Sequence, residues 1–125
     1  MSPSQPTGAL LRRAYEQTKD LPIERCHIGG DAAEQLGAFA GSRCGAACLT
    51  ISDTNTRPLG VAALDALRSA GKHVTEHVFD GPHLDASEEL GDRVAELGGA
   101  RDFLVAIGSG TLCDLAKHAG TKLKK

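Results

Sequence analysis

Residues 103–120 read FLVAIGSGTLCDLAKHAG. The apolar run Phe103–Ile107 is short and unbroken, the pattern of a strand covered on both faces. Gly108, Ser109 and Gly110 then supply a tight turn, and Thr111–Ala119 predicts a helix, with Leu112 and Leu115 apolar and Gly120 closing it. Strand, turn and helix in that order form one βα unit. A succession of such units makes a parallel sheet between layers of helices.

Upstream, the same pattern recurs in kind. Ala46–Ile51 is apolar apart from Thr50 and predicts a buried strand. Its helix opens near Pro58, turns Leu59, Ala62, Ala63, Ala66 and Leu67 inward, and stops at Gly71. Val74–Phe79 predicts another strand, with a turn at Asp80, Gly81 and Pro82. The following helix has Asp85 and Glu88 at its start, Leu90, Val94 and Leu97 on one face, and Gly98 and Gly99 at its end. Ile23–Ile28 predicts a leading strand, followed by Gly29, Gly30 and a helix with Asp31 as N-cap, Glu34 in the capping-box position and Gly41 as terminator. Residues 1–22 read as a loose arm around Pro3, Pro6 and Gly8 and a short helix carrying Leu10, Leu11, Ala14 and Tyr15. The expected fold is therefore a single α/β domain over 23–125. It has a Rossmann-like parallel sheet of four strands, right-handed crossovers and helices on both faces.

Composition agrees with one folded domain. The chain has 125 residues, 41% hydrophobic and 24% charged, far from the signature of disorder. Aromatic content of 3% and a net charge of −2 with interspersed signs argue against nucleic acid as a partner, which needs stacking platforms and a basic stripe. Lys122, Lys124 and Lys125 read as a solvated end. No secretory segment or membrane-length apolar span is present, and Cys26, Cys44, Cys48 and Cys113 contain no CxxC pair. The expectation is a cytoplasmic protein with reduced thiols and no membrane partner. Cys48 and Cys113 are expected as small packing residues in a strand and a helix, and Cys44, Cys48 and His27 match no zinc spacing. His73, His77, His83, Lys117 and His118 are expected to be structural or surface groups.

Open parallel sheets bind ligands beyond the C-terminal ends of their strands. Two strand-end turns carry suitable chemistry. At Gly108–Thr111 the glycines let backbone approach a phosphate closely, free amides and the dipole of the following helix favour negative charge, and the Ser109 and Thr111 hydroxyls can donate. The third glycine of the dinucleotide fingerprint is missing, since Cys113 occupies its place, and a plain tight turn is the alternative. After Ile51 come Asp53, Asn55 and Thr56, where a carboxylate can accept both hydroxyls of an adenosine ribose and repel a 2′-phosphate. The alternative there is that Asp53 or Thr56 caps the next helix. Asp114 lies one turn into the last helix, where dipole stabilisation alone would account for it.

The stretch Phe103–Gly120 resembles the Gly-rich segment of the sn-glycerol-1-phosphate dehydrogenase family, within the wider group of iron-containing alcohol dehydrogenases, glycerol dehydrogenases and dehydroquinate synthases. LTISDTNTRPLG, residues 49–60, is similar to that family's Asp-x-Asn-Thr segment. The resemblance implies that Gly108, Ser109, Gly110, Thr111 and Leu112 hold the pyrophosphate of NAD or NADP. It implies further that Asp114 lies near the nicotinamide end, that Asp53 meets the adenosine ribose, and that Asn55 and Thr56 shape the adenine side. Ser109 departs from the third consecutive glycine of many relatives.

The same resemblance implies that the chain corresponds only to the family's N-terminal nucleotide-binding domain. The divalent metal, zinc, nickel or iron, is held in such proteins by an Asp and two His of a C-terminal helical domain, with which no residue here aligns. The implied activity of the parent protein is interconversion of dihydroxyacetone phosphate and sn-glycerol 1-phosphate, a step in phospholipid biosynthesis. A phosphorylated triose or glycerol is then the substrate, the full-length protein is a homo-oligomer, and this stretch alone is inactive. Glycerol dehydrogenase, dehydroquinate synthase and a non-catalytic nucleotide-binding module are the alternatives.

Overall fold

The computed structural model describes residues 23–80 and 84–125. Ala47–Asp53 forms β1, His73–Phe79 β2 and Phe103–Ala106 β3, all parallel and in the order β2-β1-β3. The helices are α1 (Ala32–Arg43), α2 (Val61–Ser69), α3 (Glu88–Gly98) and α4 (Gly110–Leu123), with a 3-10 turn at Arg57–Gly60 before α2. This is an α/β arrangement consistent with a Rossmann-like fold.

β1 is the central strand and the sequence shows why. Cys48–Ser52 is buried throughout, as an apolar run covered on both faces must be. Its side chains alternate between two cores. Leu49 and Ile51 join Phe79, Val94, Leu112 and Leu115 under α3 and α4. Cys48 joins Ala40 and Leu67 under α1 and α2. The chain thus passes β1–α2–β2 over one face and β2–α3–β3 over the other, which leaves β1 and β3 adjacent at the point where the winding reverses.

Several expectations require correction. Ile23–Ile28 is not a strand: Ile23 and Ile28 are 53% and 58% exposed. Glu24, Arg25 and His27 interrupt the apolar pattern and instead strap this segment to α1, through a Glu24–Arg43 ion pair of 2.7 Å and the Arg25 guanidinium over the Phe39 ring. The described sheet consequently has three strands where four were expected. Asp31 does not cap α1 with its side chain, because its carboxylate is taken by His27 Nε2 at 2.7 Å. Gly41 lies inside α1 on its exposed side and does not end it, and α1 runs on to Arg43.

The 3-10 turn changes the phase of α2. Leu59, expected inward, is 84% exposed, Ala62 is exposed, and Leu64 takes the inward place. Ser87, not Asp85, caps α3, its Oγ accepting from Leu90 N at 3.2 Å. Gly120 is buried within α4, which ends instead at Lys124 in the left-handed conformation. Cys113 is exposed rather than packed. Lys125 is not merely solvated: its Nζ donates to the carbonyls of Gly98, Gly99 and Arg101 at the C-terminal end of α3. The expected arm and helix over 1–22, Gly81, Pro82 and His83 lie outside the described residues. Among those described, no helix is long and apolar enough to cross a membrane.

Candidate nucleotide-binding site

Asp53 ends β1 and Gly108 follows β3, so the parallel register brings both turns to the same edge of the sheet, side by side at the reversal point. One hydroxyl ties them together. Thr56 Oγ1 donates to Ile107 O at 3.0 Å and accepts from Asp53 N at 3.1 Å. The two segments singled out in the sequence are therefore brought together by direct hydrogen bonding.

The shape of the second turn depends on Gly108. Its φ is 140°, in the region open to glycine, and an added Cβ would lie 2.6 Å from Leu112 Cδ1 and 2.8 Å from Thr56 Cγ2. Gly108, Ser109 and Gly110 are exposed, and nothing lies within 4 Å of a Cβ placed at Gly110. Ser109 is the N-cap of α4 in extended conformation, and its side chain makes no capping bond. Among the described residues, the amides of Gly110, Thr111 and Leu112 have no acceptor. An open shelf of backbone donors at the positive end of a long helix is what a pyrophosphate fits. Leu112 has only its backbone to offer at this turn, since its side chain is fully buried in the core.

Asp53 caps neither the 3-10 turn nor the helix after it with its side chain, and acts on its own turn instead. Its Oδ1 accepts from Asn55 N at 2.9 Å and Thr56 N at 2.7 Å, which shapes the turn. No described residue bonds Oδ2, which leaves one carboxylate oxygen open. Asn55 is exposed and enters this arrangement through its amide. Asp114 faces outward on α4, where Lys117 Nζ lies 3.1 Å from its Oδ1.

Two residues beside the site escaped the sequence reading. Arg57 and Glu76 form an ion pair through Arg57 Nε at 2.5 Å, and Arg68 Nη2 reaches the same carboxylate at 3.3 Å. Burial pushes the Glu76 carboxyl up, but bonding to Arg57 and Arg68 outweighs it and holds the carboxyl below its ordinary range. The available signal was a lone acid in the middle of the strand HVTEHVF. The hollow of about 190 Å³ beside α1, lined by Arg25, His27, Leu36 and Phe39, includes none of the strand-end residues. No group of three or more His, Cys, Asp or Glu among the described residues is arranged for a metal ion. Comparison of the chain with family models, with curated proteins and with solved structures yields no match.

Proposed function

We propose that this chain is the nucleotide-binding domain of an NAD(P)-dependent, metal-assisted dehydrogenase that interconverts dihydroxyacetone phosphate and sn-glycerol 1-phosphate. In this reading the amides of Gly110, Thr111 and Leu112 and the Ser109 and Thr111 hydroxyls hold the pyrophosphate. Asp53 Oδ2 meets the adenosine ribose, and Asn55 and Thr56 form the adenine side. The observation that supports it best is the Thr56–Ile107 hydrogen bond, which joins the phosphate-type turn to the ribose-type turn at the reversal point of a parallel sheet. The choice of this enzyme rests on the resemblance of residues 49–60 and 103–120 to that family.

A bound dinucleotide would donate or accept the hydride, and this chain's part would be to bind and orient it. No group of described residues suits the metal. Titration of the protein with NADH, ADP and AMP, followed by fluorescence and thermal shift, tests the reading: NADH is expected to bind most tightly, because it alone spans both turns and the nicotinamide side. Absence of NADH and ADP binding by the folded protein would exclude it.

A second reading is a non-catalytic mononucleotide module, favoured by the commitment of Asp53 Oδ1 to its own turn. It predicts AMP binding at least as tight as NADH binding in the same titration.

A further inference from the structure

We propose that Glu76 sets the cofactor preference of the strand-end site by withholding the Arg57 guanidinium from a ribose 2′-phosphate, so that the site takes the dinucleotide with a free 2′-hydroxyl. This rests on the dinucleotide reading above. An arginine next to the acid that meets the ribose is the group that accommodates a 2′-phosphate in nucleotide-binding sheets. Arg57 has that place in the chain: it follows Thr56, whose amide lies 2.7 Å from Asp53 Oδ1. Its charge is committed elsewhere. Arg57 Nε and Nη2 meet Glu76 Oε1 and Oε2 at 2.5 and 3.4 Å, a two-point contact that fixes the direction of a planar guanidinium.

Glu76 is well placed for this restraint. It lies on β2 in register with Thr50 of the central strand, so its backbone is held by the sheet rather than by a loop. Its side chain is 23% exposed, and Arg68 from α2 occupies the same carboxylate at 3.3 Å. The preference against a 2′-phosphate then has two sources. The Asp53 carboxylate repels it directly, and the Glu76 carboxylate retains the cation that would have neutralised it.

A merely structural role for the Arg57–Glu76–Arg68 cluster would change stability without changing which dinucleotide binds better. Dissociation constants for NADH and NADPH are therefore measured on the full chain by fluorescence titration, with circular dichroism to establish that each variant is folded. Wild type is expected to prefer NADH. Glu76→Gln, which keeps the shape but frees Arg57, is expected to shift the affinity ratio toward NADPH about tenfold, the value of one added charged hydrogen bond. Adding Arg57→Met to that variant is expected to remove the gain. An unchanged ratio in Glu76→Gln, or a gain that survives loss of Arg57, overturns the role of Glu76 and leaves the dinucleotide reading intact. Failure of folded wild type to bind either dinucleotide overturns both. Should Glu76→Gln not fold, Arg57→Met alone decides: equal NADPH affinity to wild type supports the restraint, and a selective loss of NADPH affinity overturns it.

Discussion

Gly108 and Gly110 stand two residues apart in one turn and are constrained for opposite reasons. Gly108 carries a positive φ with Leu112 and Thr56 pressed against it, so Gly108→Ala is expected to cost about 1–3 kcal/mol in urea denaturation. Gly110 faces open space, so Gly110→Ala should leave stability within about 0.5 kcal/mol. If a pyrophosphate lies on that space, the added methyl should still weaken NADH about tenfold, as loss of one charged hydrogen bond would. Titration of Gly110→Ala with unchanged NADH affinity would remove the phosphate from this turn. Both glycines were legible in the sequence as turn formers, because residue type limits backbone conformation locally. Their division of labour was not legible, since it depends on Thr56 arriving from the turn after β1.

At the scale of elements, α3 and α4 are pinned across their exposed sides by Asp92, which lies 2.9 Å from both His118 Nε2 and Lys122 Nζ. Bonding to His118 first, and then to Lys122, holds the Asp92 carboxyl below its ordinary value of 3.8. A carboxyl lowered in the folded state stabilises the fold above that ordinary value, and the contribution disappears as pH falls through the folded-state value. Asp92→Asn is therefore expected to make Tm fall less steeply than wild type between about pH 5 and 3. Parallel acid-range slopes in thermal melts of the two proteins would show that this cluster does not couple to folding. His118 was expected as a surface residue, and its half-buried place against Asp92 follows from how two helices pack. The phase of α2 has the same character: helical periodicity is legible locally, but the 3-10 turn that precedes the helix, and with it the exposure of Leu59 and the burial of Leu64, is not.

For the whole molecule, the central strand couples two cores, so damage to it is felt on both faces of the sheet. Leu49, 1% exposed, should cost about 2–5 kcal/mol as Leu49→Ala. That is a large share of the roughly 5–15 kcal/mol by which domains are stable. Leu59, 84% exposed, should change stability by about 0.5 kcal/mol or less as Leu59→Ala. Urea midpoints of the two variants would expose an error in the assignment of the core if they shifted equally.

Taken alone, the sequence determined the α/β class and three strands with the helix after each, because apolar runs and helical spacing are local properties that follow from burying one face. It also marked both strand-end turns by residue type. The packed fold was needed to place Ile23–Ile28 along α1 outside the sheet, to make the turns of β1 and β3 neighbours, and to pair Arg57 with Glu76. The reason is physical: strand order and side-chain partners arise from how distant segments share one core and one set of charges, and no single stretch of chain contains that information.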